Sequence, residues 1–229
     1  MPSYGQFCPV AKSAEILGDP WSILIIRELL LGSSKFSELQ RGLPKISPTV
    51  LNTRLKDLDR SGVLTRRKIN GQRGHAYYLT VAGKELEPVI ETLVVWGMRW
   101  ARENMEDEDY DATFLMFDIQ RNLDPTLLPG GDYVLCFQFP DLMEYQKWWL
   151  LIVEGDVDIC YENPGKEVDL YITADLKMLT DAYMGDRDLG KAILNGEIKL
   201  IGERQLERRF KKWFPISVAA AVPRVVNEA

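Results

Sequence analysis

The chain of 229 residues is poor in the side chains on which most catalytic and metal sites depend. It contains a single histidine, His75, and three cysteines, Cys8, Cys136 and Cys160, with no Cys-x-x-Cys pair. An odd number of unpaired cysteines argues against a structural zinc site and against a disulfide framework. No Gly-rich phosphate loop and no nucleophile elbow is present. The sequence therefore predicts a protein that is not an enzyme and that uses no cofactor or metal.

Long apolar segments are also missing. None approaches the ~20 residues that cross a bilayer, and the first twelve residues lack the basic-then-apolar order of a signal peptide. With 46% apolar and 27% charged residues, the composition is that of an ordinary soluble globular protein. These features predict a cytoplasmic chain with reduced cysteines and no membrane partner.

The net charge of −6 conceals two halves of opposite sign. Residues 1–104 contain 15 Lys and Arg against 10 Asp and Glu, whereas residues 105–229 contain 13 against 24. Between residues 35 and 75 there are 10 basic residues and only 3 acidic ones. This asymmetry indicates a basic nucleic-acid-binding module joined to an acidic module with another role.

Helix signals dominate the first hundred residues. Asp19 and Ser47 are each followed by a proline, which places an N-cap residue before a proline at the first helical position. The helix after Asp19 is apolar nearly all round, so we expect it at the centre of the core. A short helix should lie between the two, from Ser34 to Gly42.

The helix that begins after Ser47 has two chemically different sides. Leu51, Leu55 and Leu58 follow a 4,3 spacing and should form its buried stripe. The opposite side carries amides, hydroxyls and cations, which can bind base edges or phosphates. A plain solvated amphipathic helix is the alternative. The residues that we predict to contact DNA from this helix and from the segment before it are Lys35, Ser47, Thr49, Asn52, Thr53, Lys56 and Arg60.

The following segment, 63–79, predicts a basic β-hairpin. Two β-rich runs flank the turn signal Asn70-Gly71 and a further glycine. A solvated hairpin is the alternative, but clustered cations repel one another without a polyanion nearby. The position of the hairpin directly after the polar-faced helix favours a wing that contacts the DNA backbone. Its predicted DNA contacts are Arg66, Arg67, Lys68 and Arg73.

Thr80 is expected to cap one long helix that continues to about residue 105. Its apolar stripe is wide and rich in tryptophan, more than so small a domain can cover from inside. We therefore predict a homodimer, whose two recognition helices lie about 34 Å apart and bind a pseudo-palindromic operator in double-stranded DNA. Packing of the second module on this stripe is the alternative. The predicted interface consists of Leu86, Val89, Ile90, Leu93, Trp96 and Trp100.

A series of short motifs runs through residues 7 to about 103. They are Cys-Pro near the start, a Trp opening the second helix, Phe-x-Glu-Leu, Ile-Ser-Pro before Leu-x-x-Arg-Leu-x-x-Leu, Tyr-x-Leu-Thr and a closing Trp-Gly. In these motifs the chain resembles the HxlR-type winged-helix regulators of bacteria and archaea. The resemblance implies a dimeric transcription factor with residues 48–61 as recognition helix and 63–79 as wing. Where many members have prolines in the wing, this chain has Gly-Gln-Arg-Gly-His.

The same resemblance gives Cys8 a role to consider. Some members of that family use the early cysteine as a redox or electrophile sensor. A thiolate near a helix start has a lowered pKa and a raised reactivity. A small, packed apolar residue is the alternative for Cys8.

The acidic stretch 106–109 is the expected boundary between domains at 1–105 and 112–229. From about residue 112 the pattern predicts strands, then two helices, a strand and a last helix. The segment 168–214 resembles the second half of sterol-carrier-protein-type domains, and the resemblance extends by strand pattern over about 112–215. It implies a sheet covered by helices with an apolar tunnel between the layers. The expected fold class of the whole chain is α+β.

The run from Trp148 to Val153 predicts a strand that is buried on both faces. One face must meet the helices, and the other needs a cover or a ligand. A pocket for a small apolar effector is therefore predicted, with a filled core as the alternative. The residues expected to line it are Phe137, Trp148, Leu150, Met178, Leu179, Tyr183 and Ile193.

The last helix has an apolar stripe and a basic side. Leu206, Phe210 and Trp213 share the stripe, and the cations lie off it. We expect a docked helix with a solvated basic side, in preference to a contact with a membrane or with DNA.

Together these features predict a dimeric, sequence-specific DNA-binding regulator that responds to a small apolar ligand. Such a protein would be cytoplasmic and would associate with the nucleoid when bound to DNA. The alternative is a lipid or small-molecule carrier whose winged-helix part serves for dimerisation or protein contacts.

Overall fold

The computed structural model describes residues 3–69, 71 and 74–223. Its contacts divide the chain into two compact units, Met1–Val95 and Trp96–Ala229. This division falls inside a helix, ten residues before the end of the first domain predicted from the sequence. None of the helices in the described residues is both long enough and apolar enough to cross a membrane.

The N-terminal unit is built around its second helix. Ile25 and Ile26 of this helix are fully buried, which confirms its predicted central position. It begins where expected, because the Asp19 carboxylate accepts a hydrogen bond of 3.1 Å from the Trp21 backbone N–H. In chain order, the elements are α1 (Pro9–Leu17), α2 (Pro20–Leu30), α3 (Phe36–Gly42), α4 (Pro48–Arg60), β1 (Leu64–Lys68), β2 (His75–Leu79), α5 (Val81–Lys84) and α6 (Glu87–Trp100).

The predicted hairpin is present as an antiparallel pair in which Leu64 faces Leu79 and Lys68 faces His75. Two hydrogen bonds attach it to the helices. The Thr80 hydroxyl donates to the Gly62 carbonyl at 2.6 Å, at the turn that follows α4. The Tyr77 N–H donates to the Ser34 carbonyl at 2.8 Å, just before α3. The hairpin is therefore fixed at its base to the end of α4 and, midway along β2, to the start of α3.

The single long helix predicted after Thr80 is wrong, because two helices are found. Thr80 caps only α5, accepting a bond of 3.2 Å from the Gly83 N–H, and α6 begins at Glu87. Pro88 explains the break, since it has no N–H to donate to the carbonyl four residues earlier.

The C-terminal unit contains a five-stranded sheet in the order β5-β4-β3-β6-β7. Strands β3 and β6 are parallel, and the other neighbours are antiparallel. The predicted strands and helices beyond residue 131 are confirmed. The elements are α7 (Ala112–Asn122), β3 (Tyr133–Gln138), β4 (Lys147–Val153), β5 (Asp156–Cys160), β6 (Leu170–Thr173), α8 (Leu176–Tyr183), α9 (Leu189–Leu194), β7 (Lys199–Gly202) and α10 (Arg204–Trp213).

The strand pattern predicted from residue 112 is wrong at its start, because residues 112–122 form a helix. The Asp111 carboxylate caps this helix by accepting a bond of 2.8 Å from the Phe114 N–H. Leu115 and Ile119 lie one turn apart and are both buried. The apolar run is too short for its period to separate a strand from a helix.

The two faces of the sheet are covered differently. Residues of α7, α8, α9 and α10 pack with Leu135, Phe137 and Leu150 in one large core on the first face. On the second face Val134, Cys136 and Trp149 form a smaller cluster. The chain between the edge strand β5 and the inner strand β6 must cross this second face, and Asp169 at its end accepts a bond of 2.7 Å from the Val134 N–H. β4 is therefore buried on both faces over Trp148–Leu150, as predicted, whereas Val153 at its end is exposed.

Glu38 stabilises the start of α3, the first helix of the helix-turn-helix. Its Oε2 accepts backbone hydrogen bonds from Ser34 at 2.8 Å and from Lys35 at 2.9 Å. Burial acts to raise the pKa of Glu38, but these two bonds and the charge of Lys35 outweigh it. The pKa therefore lies below its ordinary value of 4.5.

Replacing Glu38 with Gln should lower the free energy of unfolding by about 0.5–1.5 kcal/mol at neutral pH. Because the pKa is lower in the folded state, the ionised carboxylate stabilises the fold above pH 4.5, and this contribution disappears as pH falls through the folded pKa. Urea unfolding at neutral pH and near about pH 3 measures the difference. The exposed Glu91→Gln is the control. A deficit in Glu38→Gln that is equally large at both pH values would contradict this account.

Candidate nucleic-acid interface

The two sides of α4 differ in burial as well as in chemistry. Leu51, Leu55 and Leu58 are fully buried against the core of the N-terminal unit. The polar side chains opposite them face solvent. This exposed row consists of Thr49, Asn52, Thr53, Lys56 and Arg60.

Members of the row differ in the hydrogen-bonding groups that they leave available. The Thr53 hydroxyl donates to the Thr49 carbonyl at 2.9 Å, so it offers a base only its lone pairs and its methyl group. The Asn52 amide makes no hydrogen bond to the described part of the chain and can present both its donor and its acceptor. Arg60 contacts Asp57 at 3.2 Å but is largely exposed.

Ser47 and Lys35 stand at the starts of helices. The Ser47 hydroxyl oxygen accepts a bond of 3.3 Å from the Val50 N–H and so caps α4. Lys35 precedes α3, with its ammonium 3.8 Å from the Glu38 carboxylate and about half of its side chain exposed. Ser47 therefore has a structural role in addition to its predicted contact.

Strand β1 presents three successive exposed cations, Arg66, Arg67 and Lys68. Arg66 lies 2.9 Å from the His75 Nδ1 on β2. The Arg67 guanidinium lies over the Tyr78 ring, 5.5 Å from its centroid. The predicted contact Arg73 and the turn residue Asn70 lie outside the described residues.

Arg54 escaped the sequence prediction and positions α4. Its guanidinium is two-thirds buried and forms an ion pair of 2.6 Å with Asp19, the N-cap of α2, and one of 3.3 Å with Asp57. The ion pair with Asp19 joins α4 to α2, the central helix of the unit. The sequence contained one signal for this role. Arg54 is the Arg of the Leu-x-x-Arg-Leu motif, and it lies beside the leucine stripe.

Glu28 is a second positioning residue that the sequence did not reveal. It is completely buried, its Oε1 accepts a bond of 2.7 Å from Arg27, and its Oε2 accepts one of 3.3 Å from the Ser33 hydroxyl. A Cβ at Gly42 would lie 2.0 Å from the Glu28 carboxylate. Any larger residue at the end of α3 would therefore force the Glu28 carboxylate to move from its bonded position.

The predicted interface residues of α6 fall into two groups. Leu86 and Ile90 are half-buried against the core of the N-terminal unit. The others are between 42% and 57% exposed and recur at spacings of three and four, so they share one narrow stripe. This α6 stripe consists of Val89, Leu93, Trp96 and Trp100.

The residues predicted to line an effector pocket contact one another in the core of the C-terminal unit. Phe137, Trp148, Leu150, Leu179 and Tyr183 are buried, and Met178 and Ile193 pack against them. The Tyr183 hydroxyl donates to Asp118 at 2.6 Å. Burial and that carboxylate raise the pKa of Tyr183 well above its ordinary value. A packed core and a pocket wall are both consistent with these positions.

Cys8 is the N-cap residue of α1, half-buried, and its thiol makes no capping hydrogen bond. The helix is nine residues long. The role of Cys8 in redox or electrophile sensing stays a prediction.

Comparison with known proteins finds helix-turn-helix regulators that match the N-terminal part of the chain. The family model of the HxlR-like helix-turn-helix matches residues 16–105, which include the exposed row and the hairpin. YvaP of Bacillus subtilis, named an uncharacterized HTH-type transcriptional regulator, is 38% identical over 97 residues, or 42% of this chain and 90% of that protein. The protein sll1512 of Synechocystis, also named an uncharacterized HTH-type transcriptional regulator, is 30% identical over 112 residues. The match covers 48% of this chain and 80% of that protein. The solved structure of reduced YodB from B. subtilis is 30% identical, covers 43% of this chain and 98% of that chain, and has a TM-score of 0.37.

The ion pair between Asp19 and Arg54 can be tested separately from the helix cap. Asp19→Asn should keep the cap and lose the charge, because Asn is an equally good N-cap residue, whereas Asp19→Ala should lose both. A double-mutant cycle compares Asp19→Asn, Arg54→Gln and the double variant by urea unfolding. The coupling free energy between the two substitutions should be about 0.5–3 kcal/mol. Additive effects of the two substitutions would mean that the pair does not contribute to stability.

Proposed function

The chain belongs to the HxlR-like helix-turn-helix family, and from that premise we propose that it binds its operator through α4 and the β1–β2 hairpin. It is a DNA-binding transcriptional regulator and not an enzyme, like the relatives that it matches. The observation that carries the proposed interface is the exposed row on α4, opposite three fully buried leucines. The family match favours this function over the carrier considered as an alternative.

Within this interface the residues would divide the work. Asn52 is suited to a bidentate contact with adenine, and Lys56 and Arg60 to guanine or phosphate. The cations of β1 would contact backbone phosphates, which position the protein without specifying a sequence. The bonds from Thr80 to Gly62 and from Tyr77 to Ser34 hold the hairpin beside the end of α4 and the start of α3.

The α6 stripe supports a homodimer. Four large apolar side chains, two of them tryptophans, are about half exposed on one side of a 14-residue helix. A monomer would leave this stripe in water, whereas a second copy would bury it by two-fold symmetry. A dimer would also present two α4 helices to the two halves of a pseudo-palindromic operator.

The C-terminal unit would be the regulatory part of the protein. Its β6, α8, α9, β7 and α10 follow the order that the sterol-carrier resemblance implies. An apolar effector would have to enter between the sheet and the helices, where Phe137, Leu150 and Tyr183 now contact their neighbours. Coupling between such a site and DNA typically amounts to about 1–3 kcal/mol. Mass spectrometry of the native protein would reveal a retained apolar molecule.

Substitutions at the wing and at the recognition helix should have different effects on DNA binding. Arg67→Gln should weaken binding to all duplexes by a similar factor and reduce the slope of log affinity against log salt by about 1.8 for the homodimer, or 0.9 for one lost phosphate contact in each subunit. Asn52→Ala should change the order of preference among duplexes selected from a random pool, by about 1–3 kcal/mol per base pair. The exposed Arg187→Gln is a control of equal charge. If Arg67→Gln and Asn52→Ala acted alike, the division of roles would be wrong.

Trp96→Ala should weaken the homodimer, because truncation of a central interface tryptophan typically costs about 2 kcal/mol or more, some 30-fold in dissociation constant. Sedimentation equilibrium of the full chain measures it. Leu194→Ala, which also shortens a largely exposed apolar side chain, should leave the dimer unchanged. An unaltered dimer in Trp96→Ala would exclude the α6 stripe as the interface.

A further inference from the structure

Helix α10 is a basic element within an acidic module. Residues 105–229 contain 24 acidic and 13 basic side chains, and five of the 13 lie within the ten residues of this helix. All five are exposed. They are Arg204, Arg208, Arg209, Lys211 and Lys212.

The other side of α10 is fixed in the core. Leu206, Phe210 and Trp213 are at most 1% exposed, and the Trp213 Nε1–H donates to the Leu206 carbonyl at 3.0 Å. Arg204, Arg208 and Lys212 lie four residues apart and point away from this apolar stripe. These three, called the α10 strip below, span about 12 Å of helix at 1.5 Å per residue.

A nearby carboxylate compensates the flanking Lys211 and not the strip. Lys211 lies beside Asp188, since a Cβ at Gly190 would come within 2.6 Å of the Lys211 Nζ and 3.2 Å of the Asp188 Oδ1. The Glu207 carboxylate turns back to the start of the helix, where it accepts a bond of 2.9 Å from the Gly202 N–H. Within the described residues the three strip cations form no ion pair.

Stability does not explain the strip. Like charges four residues apart destabilise a helix by about 0.2–0.5 kcal/mol per pair, and the strip contains two such pairs. Arg204 is the first residue of the helix, where the helix dipole disfavours a cation. The dipole favours cations only in the last turn, so of the strip it favours Lys212 alone and accounts for neither Arg204 nor Arg208.

We propose that the α10 strip is a second DNA-contacting surface of this regulator, which binds the phosphates of duplex flanking the operator. The three cations are spaced about 6 Å apart along the helix, so they could contact about every second phosphate of a DNA strand, which carries one every ~3.4 Å along the axis. The contact would add affinity without sequence preference. This proposal differs from the expectation drawn from the sequence, in which the basic side of the last helix is only solvated. Insertion into a membrane is disfavoured because the apolar side of α10 is already buried in the core.

The proposal rests on DNA binding by the full chain and is tested with a duplex selected from a random pool by the wild-type protein. Two duplexes are prepared from it. The short duplex has about 20 base pairs, enough for two half-sites one helical turn apart. The long duplex adds mixed-sequence flanks that roughly triple this length. The variant Arg208→Gln/Lys212→Gln is compared with Lys166→Gln/Arg187→Gln. Both pairs remove one Arg and one Lys from exposed positions of the C-terminal unit. Circular dichroism verifies that both variants are folded.

On the long duplex the α10 variant should lower the slope of log affinity against log salt by about 3.6 for the homodimer, or 0.9 for each of two phosphates per subunit. Its order of preference among selected sequences should stay that of the wild type, and the control pair should keep the wild-type slope. Equal slopes for the wild type and the α10 variant, or equal losses in both variants, would overturn the proposal. So would an unchanged DNA slope with lost binding to vesicles of equal parts phosphatidylserine and phosphatidylcholine, which would indicate a membrane surface.

The variant Arg67→Gln, measured on the same duplexes, separates this proposal from the proposed wing. A loss in Arg67→Gln on both duplexes, with no loss in the α10 variant, would reject only the α10 strip. A loss in the α10 variant on the long duplex, with no loss in Arg67→Gln, would reject the wing contact and leave the α10 strip supported.

Discussion

The placement of α4 depends on one ion pair, between Arg54 on that helix and Asp19 at the start of α2. Burial of three leucines holds α4 against the core, but apolar contact is non-directional and permits small rotations. The Arg54 guanidinium adds a directional restraint, because its partner is itself fixed by its capping bond to Trp21. The orientation of the exposed row on α4 follows from that restraint.

The buried carboxylate of Glu28 complements this ion pair at the other end of α2. It holds Ser33 and lies directly against Gly42, so the end of α3 is fixed to the same central helix. A buried charge is costly unless it is paired and hydrogen-bonded, and Arg27 supplies the pairing. Both helices of the helix-turn-helix are therefore fixed to α2, and a contact with DNA would order few further groups.

The sequence predicted best those features that depend on local chemistry. The caps at Asp19 and Ser47, the leucine stripe of α4 and the hairpin all follow from residue type and spacing. The break before Pro88 was missed because the apolar stripe on both sides of it keeps one period, although proline chemistry contained the signal. Residues 112–122 were misassigned because a short apolar run fits both periods. Arg54 and Glu28 could not be predicted as positioning residues, since their partners lie far away in sequence.

The opposite charges of the two modules constrain how the regulator can approach DNA. Between exposed charges in physiological salt, repulsion from the acidic residues extends only about 8 Å, so it matters for surfaces near the phosphates and little elsewhere. An acidic module linked to a DNA-binding unit must therefore keep its acidic surfaces at a distance or present a basic surface to the duplex. Under the proposal made above, the α10 strip would be that basic surface, and because Leu206, Phe210 and Trp213 are buried in the core, phosphate binding there would restrain the C-terminal unit. A change in the core beneath α10 would then alter that restraint, which gives the regulatory role proposed for the C-terminal unit a physical route to DNA.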